Sequence, residues 1–469
     1  MALGGTMPPK VYLITDLGIG DGGKGTVVHK VATMTEASWV FKAGGFQGSH
    51  GMQTVINGRK IGFAFSQFGC ATLEGIRTFI TPLMVASPEG WLNEAAALAN
   101  FGIYRPLDLL WVDAGAICGT PYHGISSRLK ELARGNNPRG TIGTGAGETY
   151  RYSLSHPDLV IRAGDLISKG LAQKLKAVRD QIRQDLEPVM AKDFLAADDK
   201  RVKTEISLLN DDGFLEHIAS RFLEAGRKTN IVDGQYLEEI MGNLESAIVF
   251  ECSHGVLGDP FIGFHPHTNA APTLPSHKHA LLRKAGYAGP IIDIGVTRAY
   301  AIRHGAGPLP TADPNLAKVL LPGSHKPADR YQGEVRVGPL DMVLLRYAIA
   351  ACGGPEAFNG LAVTWFDQIQ ANGQWQICRG YDNADDGTYF LPGGEIIVSG
   401  KTGNEKLQHQ EELGKKLMKV KPVIETLNLP ANANRDELFA FCARGFEREM
   451  NVPVRMVSFG PSEQDKICK

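Results

Sequence analysis

Short runs of apolar and β-branched residues that stop at glycine recur along the chain, separated by stretches whose apolar residues fall three and four apart. Val11–Asp16 (VYLITD) is such a run and predicts a buried strand feeding a glycine loop. A helix is predicted to begin at Val27–Val31, and Trp39–Lys42 predicts a second strand that runs into another glycine cluster. Ser87-Pro88-Glu89 offers an N-cap, a proline suited to the first helical position and an early acid, and Trp91, Ala95 and Leu98 follow at helical spacing. Further buried strands are predicted at Leu107–Val112, Ala247–Phe250, Ile291–Ile294 and Leu361–Phe366, with helices near 165–193, 211–226 and 339–351. This alternation predicts an α/β fold with a large, mainly parallel sheet and flanking helices. From 373 to 399 the runs shorten (QWQICRGY, EIIVSG), as small antiparallel additions would, before helices near 405–420 and 435–449 and a last strand at Val454–Ser458. No Pro/Ser-rich linker breaks the pattern, so a single domain over residues 1–469 with inserted subdomains is expected.

Composition narrows the function classes. Hydrophobic residues make up 43% and charged residues 21%, enough for a packed core without staples. Lys and Arg number 49 against 50 Asp and Glu, so no global basic field draws the chain to nucleic acid or an anionic membrane. No apolar run approaches the roughly 18 residues of a membrane span, and residues 1–10 lack a signal-peptide core, so a cytoplasmic location is expected. The seven cysteines are odd in number, dispersed and never paired as CxxC, which favours reduced packing residues. The 55 glycines are the unusual feature, because they gather at 18–25, 44–51, 140–147, 255–263 and 305–307, beside the apolar runs. Glycines after strands let backbone amides approach a ligand.

The first cluster, Gly18-Ile19-Gly20-Asp21-Gly22-Gly23-Lys24-Gly25-Thr26, lies between a predicted strand and a predicted helix, where free amides and the helix dipole bind phosphate. As a Walker A loop it fits Gly18, Gly23 and Lys24 but places Gly25 where a hydroxyl should hold magnesium. As a dinucleotide fingerprint it fits Gly18, Gly20 and Gly23, yet no acid ends the second strand. A P-loop-like nucleotide-binding architecture is the reading common to both.

The loop resembles the GDEGKG signature of adenylosuccinate synthetases, with Gly22 in place of the glutamate. Five later stretches resemble that family's motifs in order. Gly44-Gly45-Phe46-Gln47-Gly48-Ser49-His50 resembles GGxNAGH, and Phe250-Glu251-Cys252-Ser253-His254-Gly255 resembles FEGAQG. The stretch from Arg303 to Thr311 resembles RVGAGPFPT, Thr364-Trp365-Phe366-Asp367 resembles TKLD, and Ser458-Phe459-Gly460-Pro461 resembles STGP.

The resemblance implies a homodimeric ligase that spends GTP, with Mg2+, to join aspartate to a 6-oxopurine nucleoside monophosphate through a 6-phosphoryl intermediate. It makes Asp21 the general base at purine N1 and a magnesium ligand, and His50 the donor to the transferred phosphoryl oxygens. Gly20, Gly22, Gly23, Lys24 and Gly25 would hold the GTP phosphates, and Ser49, Gly48 or both would offer a backbone carbonyl to the metal. Asp367 would read guanine N1–H and N2–H2, Ser458 and Gly460 would close the base pocket, and Trp365 could stack on the base or belong to the core. Gln47, Thr144, Gly145, His254, Thr268 and His304 would surround the monophosphate. Gln47, His254 and His304 each replace a different family residue, so another purine is an open alternative. Arg151 and Arg162 are candidates for an arginine reaching across a dimer. The stretch from Arg330 to Asp341 takes the place of the family's amine-donor loop. There Arg330, Glu334 and Arg336 replace a run of arginines: with Gly333 as the motif glycine, Glu334 would repel aspartate, which leaves another amine donor open, while in a shifted alignment Arg330 and Arg336 would still bind aspartate. A metal site at His265, His267, His277 and His279 lacks helical ligand spacing. Two other classes stay in view: a GTP-binding regulator without turnover, and a nicotinamide dehydrogenase, disfavoured by Lys24 and the missing ribose acid.

Overall fold

A computed structural model describes residues 10–56, 58–191, 199–321 and 332–469. In chain order the strands are β1 (Val11–Asp16), β2 (Trp39–Gly45), β3 (His50–Ile56), β4 (Arg59–Phe65), β5 (Arg77–Ala86), β6 (Leu110–Asp113), β7 (Ile117–Cys118), β8 (Asn230–Val232) and β9 (Ile248–Gly255). They continue as β10 (Ile291–Arg298), β11 (Ala301–His304), β12 (Val335–Gly338), β13 (Leu340–Asp341), β14 (Gly360–Thr364), β15 (Gln374–Tyr381), β16 (Pro422–Asn428), β17 (Val454–Ser458) and β18 (Lys466–Cys468). The main sheet runs β18-β17-β14-β10-β1-β9-β2-β5-β6-β8, with β7 beside β5. Its pairings are parallel except β17 with β18. Strand β1 sits in the centre and is apolar on both faces, as a strand covered by helices must be.

The glycine loop after β1 leads into α1 (Lys24–Met34), and α2 (Pro88–Ala99) carries the predicted cap, with Ser87 Oγ accepting from the Gly90 amide. Helices α3 (Pro121–Leu132) and α4 (Ala146–Ser155) pack on the β5 side. Cores form on either side of the sheet, one around Val27, Phe68, Trp91 and Ile161, another around Leu361, Phe366 and Trp375.

Several predicted boundaries move for local reasons. The run Leu107–Val112 becomes a strand only from Leu110, because Pro106 opens a 3-10 turn through Leu109. The run Leu361–Phe366 stops at Thr364, since Trp365 adopts left-handed backbone and caps the helix Phe366–Asn372. The helix near 165–193 is Leu171–Met190, preceded by a 3-10 turn at Ala163–Ile167. The run EIIVSG forms no strand: it contributes one bridge, Ile396 to Phe390, and β15 finds its antiparallel partner in β16 instead. Strand β5 went unread because Pro82 interrupts it. The β2–β5 register jumps from Lys42–Ile80 to Gly44–Met84, and this irregularity accommodates the proline within a central strand. The β3–β4 hairpin was equally missed, although Asn57-Gly58 is the turn signal that could have found it.

Candidate functional site

Five of the six motifs lie at the carboxyl ends of main-sheet strands β17, β14, β1, β9 and β2, along one edge of the sheet, and the sixth, Arg303–Thr311, starts on β11 just after β10 and reaches the same edge through His304, which meets Asp21. Open parallel sheets bind ligands at that edge, where loops diverge and helix N-termini point inward.

At the centre, the β1 loop folds over Asp16, the last residue of the strand. The Asp16 carboxylate accepts from the Gly18 amide at 2.7 Å, from the Gly22 amide at 2.8 Å and from Lys24 Nζ at 2.7 Å. Gly22 carries no side chain to collide with that carboxylate. A Cβ there would lie 2.6 Å from Asp16 Oδ2. The loop is locked to β14 as well, because Thr364 Oγ1 donates to the Gly22 carbonyl at 2.6 Å.

Asp21 stands at the loop tip with its side chain 44% exposed and its Oδ2 2.7 Å from His304 Nε2. Desolvation opposes its charge, but the hydrogen bond and charge of His304, followed by Arg298 and Lys24, prevail and hold the carboxyl well below the usual range. Arg298 donates to the Asp21 carbonyl at 2.6 Å and lies over the Trp365 ring at 4.1 Å. Trp365 therefore stacks on a guanidinium. Three residues of the site hold left-handed backbone without being glycine: Asp21 (φ 57°), His254 (φ 65°) and Trp365 (φ 59°). Such strain concentrates where surrounding structure dictates a side-chain direction.

His50, at the start of β3, is buried in a charged cluster that sequence reading did not foresee. Its Nδ1 lies 2.6 Å from Glu251 Oε1, which also receives Lys42 Nζ at 2.6 Å, while Oε2 accepts from the Cys70 amide at 2.8 Å. Burial opposes the Glu251 charge, yet Lys42 and His50 outweigh it and keep the carboxyl ionised. An ionised carboxylate only accepts, so Nδ1 carries the proton and Nε2 is the atom left for chemistry. Burial depresses the His50 imidazole against the pull of Glu251. His50, Cys70 and Glu251 have the proximity of metal ligands, but Lys42 already supplies the cation.

Toward β2, Gln47 Nε2 meets His254 Nε2 at 2.8 Å, pairing two positions where the chain departs from the motifs it resembles. Burial pushes the His254 imidazole down to about 4, so it is neutral. Gln47 Oε1 and His254 Nδ1 are both buried with no hydrogen-bond partner among the described residues. Gly143-Thr144-Gly145 leads into the N-terminus of α4, with Thr144 exposed; Gly145 (φ 94°) packs so tightly that a Cβ would reach 2.6 Å from the His123 carbonyl carbon. Thr268 is half-buried beside Asn269, whose amide donates to the Gly258 carbonyl.

Toward β17, Asp367 keeps Oδ2 on Gln368 Nε2 at 2.7 Å while Oδ1 is buried and lacks a partner among the described residues. Ser458 Oγ donates to the Gly460 carbonyl at 2.8 Å. Lys466 Nζ donates to the Gly460 and Ser462 carbonyls, and burial, opposed by Asp465 and Asp367, brings its ammonium down to about 8. Buried polar groups without partners are rare in finished structures, and here they mark both ends of the same edge.

The donor loop is only partly described: Arg330 lies outside the described residues. Glu334 is exposed, and its carbonyl accepts from the Gly305 amide. Arg336 turns inward to the Gly305 and Gly307 carbonyls, and Arg303 to those of Ala306, Pro308 and His267. Arg151 lies 3.6 Å from Glu148, and Arg162 donates to the Gly115 carbonyl. His265 and His267 meet the carbonyls of Pro260 and Arg139, and His279 meets Asp293, so these histidines serve separate contacts.

A phosphate-type glycine loop, a buried His–Glu–Lys cluster and unpartnered acceptors at either end define an α/β protein that holds nucleotides along the carboxyl edge of its sheet. The family profile described as adenylosuccinate synthetase matches residues 13–467, and the chain belongs to this family of GTP-dependent ligases that form carbon–nitrogen bonds. Adenylosuccinate synthetase of Neisseria meningitidis serogroup C is 28% identical over 462 residues, covering 96% of each chain. The enzyme of Halothermothrix orenii is 27% identical over 461 residues, with the same coverage. The fully ligated adenylosuccinate synthetase of Plasmodium falciparum shares the fold with a TM-score of 0.71 at 17% identity, covering 98% of this chain and 99% of that one. The succinoaminodeoxyadenylate synthetase of cyanophage S-2L, bound to dGMP and to dATP as an energy donor, superposes with a TM-score of 0.54 at 15% identity, covering 98% and 95%.

Proposed function

We propose that this chain joins aspartate to a 6-oxopurine nucleoside monophosphate at the expense of GTP. The observation that carries the reading is the gathering of five motifs at the carboxyl ends of β17, β14, β1, β9 and β2, which puts Asp21, His50 and Asp367 on one edge. Oxide is a poor leaving group, so the 6-oxo oxygen must first be phosphorylated. Asp21 takes the N1 proton, the 6-oxygen attacks the γ-phosphorus, and GDP leaves. His50, oriented through Nδ1 by Glu251, offers Nε2 to the phosphoryl oxygens, and their negative charge raises the affinity of that nitrogen for a proton. The aspartate amine then adds at C6, phosphate departs with the original oxygen, and the amine proton is released.

Lys24 and the loop amides hold the GTP phosphates, Asp367 Oδ1 accepts from the guanine edge, and the α4 N-terminus receives the monophosphate. Mg2+ fits the donor set, because Asp21 is held ionised and the Gly48 and Ser49 carbonyls supply hard oxygen. When bound, the ion neutralises phosphate charge. The active form is a homodimer working in the cytoplasm.

The Gln47–His254 pair and Glu334 favour one variant of this reading: a different purine monophosphate or a less acidic amine donor. Both readings are tested by incubating the protein with GTP, ribo- and deoxyribonucleoside monophosphates and amino acids, following GDP and phosphate release and weighing the product. GTP hydrolysis without a condensed product would favour the regulator, and no nucleotide turnover would overturn the ligase.

A further inference from the structure

Asp16 takes no part in the chemistry above, yet it is the most enclosed charge of the phosphate loop: its side chain is 0% exposed and that of Lys24 is 2% exposed. Its Oδ1 takes the Gly18 amide, and its Oδ2 takes both the Gly22 amide and Lys24 Nζ, so one carboxylate ties together the start, middle and end of the loop. The backbone is shaped around it. Cβ atoms added at Gly18, Gly22 and Gly255 would stand 3.2, 2.6 and 2.8 Å from its oxygens. Position 22 is also where the family motif carries a glutamate, and here a side chain and the Asp16 carboxylate cannot occupy the same space. We propose that Asp16 is the positioning residue of the nucleotide loop: its carboxylate, reaching in from the end of β1, stands in for the one the motif places at position 22 and holds Lys24 in place for the phosphates.

The proposal rests on the reading of the loop as a GTP site. Lys24 has three donors and spends one on Asp16, which leaves two for phosphate oxygens while the carboxylate fixes where the ammonium stands. Stranding one partner of a buried ion pair is costly, whereas a carboxylate supplied from the other position should restore the pair.

The test compares the parent with Asp16→Asn, Asp16→Ala, Gly22→Glu and the double variant Asp16→Ala/Gly22→Glu, measuring kcat, KM for GTP, KM for the monophosphate, and melting temperature. Asp16→Asn should raise KM for GTP by at least about tenfold while KM for the monophosphate stays within about threefold. Gly22→Glu alone should be at least as damaging, because it forces two carboxylates together. The double variant should recover at least about fivefold in kcat/KM for GTP over Asp16→Ala, a non-additivity that a merely structural aspartate would not give. Asp16→Asn within about twofold of the parent, or a double variant no better than Asp16→Ala, contradicts the proposal. If Asp16→Ala does not fold, recovery of folded protein in the double variant supports it and failure to recover contradicts it. Parent turnover is measured first: its absence overturns the ligase reading alone, and melting temperatures of the same five proteins then decide the carboxylate exchange.

Discussion

A carboxylate that must both accept a proton and attract a cation needs its charge maintained while a nucleotide displaces water around it. Asp21 meets this through His304, 2.7 Å away, and through Arg298 beneath its own carbonyl. Asp21→Asn should fold and still bind GTP but lose at least about 10³-fold in product formation, because the amide accepts no proton and carries no charge. Near-parent turnover in a steady-state assay would remove Asp21 from the mechanism. Asp367→Asn replaces the charged acceptor that Asp367 offers the guanine edge with a neutral amide, at roughly 1.5–3 kcal/mol per bond. The expected outcome is a large rise in KM for GTP with little change for the monophosphate, and equal use of ATP and GTP by the parent would refute the assignment. Asp21, His50 and Asp367 were legible in the sequence because each sits inside a short motif. Their pairings were not: Glu251 is 201 residues from His50 and 209 from Lys42, and Arg298 and His304 reach Asp21 only because β10 pairs with β1 and β11 follows directly after it. Gly22, a departure from the motif in the sequence, becomes intelligible once Asp16 is seen filling its space.

At the scale of elements, the turn before α4 should be the most sensitive to a small change. Gly145→Ala places a Cβ 2.6 Å from the His123 carbonyl carbon at φ 94°, so the turn must open. The variant should lose on the order of 1–3 kcal/mol by denaturant unfolding. It should also weaken monophosphate binding more than GTP binding, since the helix N-terminus moves. Equal loss for both nucleotides by calorimetry would show that α4 does not hold the monophosphate. Strands announced by clean apolar runs, such as β1 and β17, were readable to the residue. Elements whose signal is interrupted or non-local were not. Pro82 hides β5, and the apolar run at 395–400 suggested a strand because hydrophobicity does not tell whether a partner strand is near.

Across the whole molecule, the sheet order brings five separate motifs to one edge and β11 carries the sixth to it, and stability and chemistry share that edge. Asp341, the last residue of the donor stretch, caps the helix Met342–Ala351 and accepts from Tyr381 Oη at 2.7 Å, and burial raises its carboxyl to about 6. A raised carboxyl binds its proton more tightly in the folded state, so its favourable contribution is complete below about pH 4 and lost as pH rises through 6. Asp341→Asn should therefore stabilise the protein at pH 8, by on the order of 1–3 kcal/mol, and the gain should vanish near pH 4. Thermal unfolding across that range reads the sign directly, and a gain independent of pH would contradict it. The central claim is phosphorylation of the 6-oxo group before displacement by the amine, and oxygen transfer tests it most directly. With the 6-oxo oxygen of the monophosphate isotopically labelled, the reaction with GTP and aspartate should deliver the label into inorganic phosphate, one atom for each molecule of condensed product. Product formed with unlabelled phosphate would contradict the account.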